Sequence, residues 1–346
     1  MQPLPQNNLT SLLSRLYARI ITFRNNYFDG HPAQSRFVGL PVVSVGAIHT
    51  GGVGKTPLCI TIGRHFQEQG YAIGFLSRGY GRKSSQTVIT RPEEQLTWQH
   101  VGDEPCALQS NVAGAWLGIG AKRIISARRL ERMMPRQSLL IMDDGFQHRR
   151  MHRDLDIVCL PAHGAGGNVL PTGYLREPAE SLRRASIICI IGSKEEREIM
   201  RMHMHRVGSV AGHDRLFVLH QQAASWVNAA TLQESKKPPA KKSAVICGIA
   251  RPERFILMLR QSGIEPESVH TFNDHHIFTE HEIRGCLGAQ TQVILTTEKD
   301  AFRLKALSLV NCPDIWYLKI GLEFENNRLR KQFLSEVEYE VQGKLC

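Results

Sequence analysis

The segment Gly51-Gly52-Val53-Gly54-Lys55-Thr56 has the residue types needed to hold a nucleoside triphosphate. Glycines let backbone N–H groups turn inward around phosphates, and a helix opening there adds partial positive charge. Lys55 can reach the β- and γ-phosphates of ATP, and Thr56 can ligate Mg²⁺. The usual first glycine of such a loop would fall at position 49, which is His49, so the loop is a variant that uses Gly51 and Gly52 instead. A chance glycine turn is the plainer alternative. A P-loop must follow a strand and open a helix, and this segment sits in that context.

Further chemistry-bearing residues lie downstream. Asp143 and Asp144 end an apolar run, where the Mg²⁺-holding carboxylate of a P-loop protein belongs, although a solvated acidic turn would read the same way. Asp103 and Glu104 form an acidic pair in Gly102-Asp103-Glu104-Pro105, which taken alone is more often a turn than a site. Residues 145–153 gather Gln147, His148, Arg149, Arg150, His152 and Arg153. Such a cluster can bind an anionic substrate or can simply be a solvated face. Asp274-His275-His276 reads as metal-binding, catalytic or loop, and two adjacent histidines are a weak metal pattern.

The elements that must position these residues alternate in type. Apolar runs at 40–46, 71–77, 138–142, 155–160 and 185–191 predict strands. A helix is expected over 56–69, with Pro57 in its first turn and Gly70 just past its end. Strands alternating with helices predict a mostly parallel sheet covered on both faces. Residues 233–243 are polar, Lys-rich and contain two prolines, which reads as a linker. Beyond it the pattern restarts, with strands expected at 244–249, 292–295 and 315–320 and a helix at 251–261. The expected architecture is a P-loop α/β/α domain over 1–235 and a second, smaller α/β domain over 236–346.

Composition sets the outer limits. The 346 residues carry 43 Lys and Arg against 32 Asp and Glu, a net charge of +11, which suits phosphate, nucleic acid or an anionic membrane face. The eight cysteines form no CxxC pair and mostly sit singly in apolar stretches, as buried thiols do. No run of 18 apolar residues is present. Leu9, Leu12, Leu13, Leu16, Ile20 and Phe23 recur at helical spacing, with Arg15 and Arg19 to the other side. That helix can lie in a membrane interface or dock on its own domain.

Taken together, these segments resemble the tetraacyldisaccharide 4′-kinases of lipid A biosynthesis. The resemblance rests on residues 51–57, Ser77-Arg78-Gly79-Tyr80-Gly81, Gly102-Asp103-Glu104-Pro105 and Asp143-Asp144-Gly145-Phe146-Gln147-His148-Arg149. It continues in order through residues 170–178, 248–255, Asp274-His275-His276 and Thr297-Glu298-Lys299-Asp300. It implies ATP-dependent phosphorylation of the 4′-hydroxyl of a tetraacylated glucosamine disaccharide 1-phosphate, giving lipid IV-A, with the active site between two α/β/α domains. It also implies a peripheral protein at the cytoplasmic face of the inner membrane, and it favours membrane contact for the 9–23 helix. Carried over residue by residue, it implies Asp103 as catalytic base with His275 as its partner. Glu104, Asp143 and Thr56 would help hold Mg²⁺, with Asp144 stabilising that cluster. Arg176 would clamp phosphate or substrate, and Arg78, Gln147, His148 and Lys299 would belong to the substrate surroundings.

The chain departs from the family pattern at Ala47, His49 and Thr50 before the P-loop, and at Thr172 and Tyr174 in the 170–178 segment. These bear on loop shape and not on the signature atoms. Two other classes fit the composition less well. A dimerising P-loop ATPase switch would tolerate the variant loop, and a nucleic-acid binder would suit the charge. No finger, helix-turn-helix or aromatic-rich recognition motif supports the second, and no nucleic-acid partner is expected.

Overall fold

The computed structural model describes residues 3–345 apart from 83, 95, 238, 240, 241, 308 and 310. In chain order, α1 (Asn8–Gly30) leads to β1 (Val42–Gly46), α2 (Lys55–Glu68), β2 (Ala72–Ser77) and β3 (Val88–Thr90). Then come α3 (Trp98–Val101), α4 (Asp103–Asn111), β4 (Trp116–Ile119), α5 (Arg123–Met133), β5 (Ser138–Asp143) and β6 (Leu155–Pro161). Next are β7 (Ile187–Gly192), α6 (Arg197–Ala211), β8 (Leu216–Asn228), β9 (Glu234–Ser235) and β10 (Ser243–Cys247). The chain closes with α7 (Pro252–Gln261), β11 (Ser268–Thr271), α8 (Glu280–Gly285), β12 (Val293–Thr297), α9 (Glu298–Lys305), β13 (Asp314–Phe324) and α10 (Asn327–Leu345).

Each expected strand is present with its ends shifted by a few residues, and the α/β class is as expected. The strands described form one sheet in the order β11-β10-β12-β13-β8-β7-β6-β1-β5-β2-β4-β3, with β9 paired to β8. Neighbours are parallel except at β3–β4, β8–β9 and β8–β13. The long β8 and β13 pair through Trp316↔Asn228 to Phe324↔Leu219, with a register shift at Lys319/Ile320, and they weld the two halves together. Part of the expected linker is therefore structured: β9 lies within it, while 238, 240 and 241 are outside the described residues.

Both faces of the sheet are covered, and the strand period of two shows it. On β5, Leu139 and Ile141 enter the core shared with α2, while Leu140 and Met142 enter the core beneath α5. In the later half, Val245 and Cys247 pack with α7, and Ile246 packs on the other side with Phe278 and Ile283. The expected boundary at 235/236 falls between β9 and β10, but the chain does not stay in the later half. Helix α10 returns, and its Phe333, Leu334, Val337 and Val341 lie in the first core. Of the described cysteines, six are buried and Cys312 is half-buried, all as free thiols.

The site is prepared at the carboxyl ends of β1 and β5, which lie side by side with Val45 opposite Asp143. The chain leaves β1 for β2 beyond β5 and later reaches β6 on the other flank, which opens a crevice at this edge of a parallel sheet. Gly46 ends β1 because nothing larger fits there. A Cβ on it would lie 2.5 Å from Phe146 Cβ and 2.6 Å from the Phe146 backbone N. That contact holds the turn after Asp143 against the start of the P-loop. Gly46→Ala should therefore lower stability by about 1–3 kcal/mol, the usual scale for overpacking a closed core. Urea unfolding of the variant checks this, and an unchanged midpoint would mean that the turn yields freely.

Candidate active site

Helix α2 starts at Lys55, and its N-cap Gly54 has φ +83. Gly51 is also left-handed at φ +94. These two glycines curl the chain so that its amides face inward, and α2 places Lys55 and Thr56 on the first turn. Lys55 Nζ lies 3.4 Å from Asp144 Oδ1, and Arg176 Nη1 donates to Asp144 Oδ2 at 2.7 Å. Thr56 Oγ1 donates to Asp143 Oδ2 at 3.1 Å. The structure thus brings the P-loop, the Asp143-Asp144 pair and Arg176 together.

Position 49 does not take part in the phosphate loop. His49 is buried, bridges to Leu175, and meets the His163 ring edge-on at 5.5 Å. Burial first, and then His163, push its imidazole down to about 4. The 170–176 segment runs beside the P-loop approach. Thr50 N donates to Tyr174 O at 2.8 Å, and Arg176 N donates to Ile48 O at 2.6 Å.

The second cluster spans the expected linker. Asp103 and Glu104 open α4, and His275 follows β11 with φ +60. His275 Nδ1 lies 3.0 Å from Asp103 Oδ2, and the same oxygen accepts from Arg303 Nη2 at 2.7 Å. Glu104 Oε1 accepts from Lys299 Nζ at 2.6 Å. Arg303 is absent from the residues that the sequence singles out, because an arginine at helical spacing in a charged segment reads as solvated. It is 2% exposed and also reaches Asp300 Oδ1 at 3.1 Å. His276 turns instead to Glu282, 3.2 Å away. Among the described residues no group of three or more His, Cys, Asp or Glu side chains is clustered for a metal.

Charge is distributed unevenly here. Burial would raise the Asp103 carboxyl, but the His275 hydrogen bond, Lys299 and Arg303 outweigh it and hold it well below the carboxylate range. The hydrogen bond to Asp103 raises His275. Burial would also raise Asp144, and Lys55 and Arg176 hold it low. Asp143 is different. Burial, then the nearby Glu104, push it up to about 7, and its Oδ1 is buried without a partner. A carboxylate short of positive charge, beside a threonine hydroxyl at a P-loop, fits Mg²⁺. That ion takes one or two carboxylates and completes its shell with phosphate oxygens and water.

The remaining residues sit around this centre. Arg78 is exposed just past β2, and the ring of neighbouring Tyr80 lies 4.8 Å from that of His275. Burial, then the charges of Arg123 and Arg153, lower His148 to about 4, so it is neutral. Gln147 holds the scaffold: its Nε2 donates to Ala47 O at 3.0 Å and to Glu177 Oε1 at 2.8 Å.

The tetraacyldisaccharide-1-P 4′-kinase family model matches residues 7–338. The tetraacyldisaccharide 4′-kinase of Chlorobaculum parvum is 31% identical, covering 94% of each chain. That of Neisseria gonorrhoeae is 31% identical over 89% of this chain and 85% of its own. Among solved structures, LpxK from Aquifex aeolicus, in complex with ATP, superposes with a TM-score of 0.75 at 25% identity, covering 95% of this chain and 97% of that one.

The raised Asp143 gives a sign that can be measured. Between the ordinary value of 3.8 and about 7, the native state holds a proton that the unfolded chain has released. Its contribution to stability is therefore complete below 3.8 and is lost as pH rises through about 7. Without Mg²⁺, Asp143→Asn should flatten the fall in melting temperature between about pH 4 and 8 and exceed the wild type at the upper end. An unchanged slope in the variant would assign the pH dependence to other groups.

Proposed function

The chain belongs to the tetraacyldisaccharide-1-P 4′-kinase family, and from that premise we propose how its own residues carry out the family's reaction. The γ-phosphoryl group of ATP is transferred to the 4′-hydroxyl of a tetraacyldisaccharide 1-phosphate. The observation that carries the reading is the meeting of two clusters. The P-loop with Asp143 and Asp144 holds the nucleotide end, and the Asp103–His275 pair, 3.0 Å apart, stands ready for the acceptor hydroxyl. Backbone amides at 51–54 and Lys55 cradle the phosphates. Thr56, Asp143 and Glu104 would hold Mg²⁺, which when bound neutralises phosphate charge. Arg176 keeps Asp144 placed against Lys55.

Asp103 accepts the hydroxyl proton as part of a pair and not alone. Held low by its partners, it is a weak base while His275 is charged. Once His275 loses its proton the pair can take up a new one and share it. Residues 236–326 act as a lobe that closes over the P-loop lobe, with α10 belonging to the latter. Closure excludes water and limits wasteful hydrolysis. The contacts of α4 with His275 and α9 are the closed interface.

A peripheral position at the cytoplasmic face of the inner membrane belongs to the same reading, and α1 supports the membrane contact. Its polar side docks: Ser14 pairs with Thr172, Tyr17 OH donates to Arg176 O at 2.9 Å, and Asn25 Nδ2 donates to Glu177 at 2.7 Å. Its apolar side faces outward, with Leu9, Leu12, Leu16, Ile20 and Phe23 each more than half exposed. No described helix is long and apolar enough to cross a membrane. An exposed apolar stripe flanked by Arg15 and Arg19 suits an anionic lipid interface.

The test is turnover of the purified protein with ATP·Mg²⁺ and the disaccharide 1-phosphate, with the phosphorylated hydroxyl mapped. Asp103→Ala and His275→Ala should each lower kcat by ~10²–10⁴ with ATP affinity nearly unchanged. The double variant should be little worse than the worse single. The acidic limb of the wild-type kcat profile should lie above 6.5, the ordinary histidine value, because His275 is raised. Multiplicative losses, or a limb below that value, would show independent roles.

Placing charge on the stripe separates anchoring from chemistry. Leu12→Glu with Leu16→Glu should abolish sedimentation with anionic vesicles while leaving ATP affinity intact, because the lipid-facing residues touch nothing in the P-loop. Retained vesicle binding in the folded variant would place the membrane surface elsewhere.

A further inference from the structure

Arg251 is the N-cap residue of α7, at the tip of the 248–251 turn after β10. Its guanidinium lies over the Tyr174 ring, 5.8 Å from the centroid. Its Nε is 3.7 Å from where a Cβ on Gly51 would be. The later half of the chain therefore lays a guanidinium against the outer turn of the P-loop. Among the described residues its side chain makes no hydrogen bond or ion pair. Its surroundings are basic: burial first, and then neighbouring positive charge including Arg251, lower both His49 and His163. A half-buried, unpaired guanidinium in such a field lacks an anion.

Its attachments indicate which anion. Gly51 lies four positions before Lys55, in the turn whose amides face the terminal phosphates of a bound nucleotide. Gly248, at the base of the same turn, accepts the His275 backbone N–H at 3.1 Å and donates its own N–H to Asp300 at 3.0 Å. Arg251 and His275 thus sit on neighbouring turns tied together through Gly248, one facing the phosphate donor and the other, with Asp103 of α4, the acceptor.

We propose that Arg251 is a further catalytic residue, an arginine finger supplied in cis that donates to the equatorial oxygens of the γ-phosphoryl group as it transfers. In that step the acceptor oxygen bonds to the γ-phosphorus. The bond from the γ-phosphorus to the β–γ bridging oxygen breaks, its electron pair stays on ADP, and the hydroxyl proton goes to the Asp103–His275 pair. Charge accumulates on the phosphoryl oxygens, and a guanidinium can meet two of them at once. Tyr174 supplies the ring face that keeps the cation aimed before the nucleotide binds. Gly51 suits the turn because a side chain there would strain the positive φ, and a Cβ at that position would only come into ordinary contact with the guanidinium, at 3.7 Å. The assignment rests on the kinase reading of the same site.

The experiment is single-turnover transfer from ATP·Mg²⁺ to the disaccharide 1-phosphate by the full chain, with ATP affinity and melting temperature measured on the same samples. Arg251→Ala should slow transfer by ~10³–10⁵, and ATP Kd should move by less than about threefold. Arg251→Lys keeps the charge without the fork and should fall between the two. Arg251→Met keeps the stem over Tyr174, so it repeats the test if the alanine variant does not fold. ADP·Mg²⁺ with aluminium fluoride, a mimic of the transferring group, should lose affinity in Arg251→Ala while ADP alone does not. Transfer within about threefold of the wild type in Arg251→Met would overturn the assignment. So would a loss of ATP affinity equal to the loss of rate, which would make Arg251 a ground-state contact. Failure of the wild type itself to transfer phosphate would count against the kinase reading, whereas an active wild type with unaffected variants would count against Arg251 alone.

Discussion

A single buried guanidinium holds together the elements around the Asp103–His275 pair. Arg303 is almost fully enclosed, and it reaches Asp103 Oδ2 at 2.7 Å, Asp300 Oδ1 at 3.1 Å and the His276 carbonyl at 3.1 Å. A cation out of water is tolerated only when partners surround it, and a carboxylate left behind without it would be costly. Each partner belongs to a different element: Asp103 to the start of α4, Asp300 to α9, and His276 to the turn that presents His275. The pairing therefore fixes the relative placement of three elements that no single core cluster joins. It also explains why His275 is held at φ +60, a conformation unfavourable for a side chain unless its surroundings determine it. The Asp103–His275 pair depends on Arg303 for its geometry, while the low basicity of Asp103 comes first from the His275 hydrogen bond and Lys299, with Arg303 adding to it.

Around that fixed point the charges are nearly matched, with one exception. Lys55 and Arg176 answer Asp144, Lys299 answers Glu104, and Arg303 with His275 answers Asp103. Asp143 is pushed up, and the hydrogen bond it accepts comes from the Thr56 hydroxyl. An unbalanced carboxylate at the end of the strand beside the P-loop is the electrostatic counterpart of an ion that arrives with its substrate. Arg251, which lies over Tyr174 beside Gly51 with no acidic partner among the described residues, is the opposite imbalance. The two imbalances face what a metal-bound triphosphate offers, a cation and an anion together.

The P-loop was legible in the sequence because its function resides in consecutive backbone amides, and the strand and helix flanking it have strong periods. Asp143 was legible for a similar reason, as the polar end of an apolar strand. The pairing of Asp103 with His275 was not readable from spacing. It came from the family resemblance, since two residues 172 positions apart are joined only by tertiary structure. Arg303 gave no signal, because burial of a charged side chain is decided by what packs over it. Strand β8 was missed because His220, Gln221 and Gln222 interrupt its apolar pattern where it crosses to β13. The return of α10 to the first core is likewise a matter of topology, which local pattern does not encode.

Helix α1 shows a different limit. Its amphipathic period was plain, but the usual inference from period to orientation, apolar side inward, is reversed here. The reversal has a physical consequence. Hydrogen bonds are directional, whereas apolar contact is not. Docking by Ser14, Tyr17, Arg24 and Asn25 therefore fixes the rotation of the helix, and the side that tolerates a fluid partner is left outside. The docked side grips the 169–177 segment and the Gln147 carbonyl, and that segment is itself tied to Ile48 and Thr50 at the entrance to the P-loop. A continuous chain of directional bonds thus runs from the exposed stripe to the phosphate loop. A lipid acceptor keeps its acyl chains in the bilayer, so its hydroxyl arrives at a restricted height and tilt. An enzyme that acts on it must hold its phosphate loop at a set angle to the surface. On the proposed reading the polar face of α1 would set that angle and the apolar face would provide the attachment, so weakening one should misplace the reaction while weakening the other should only release the protein.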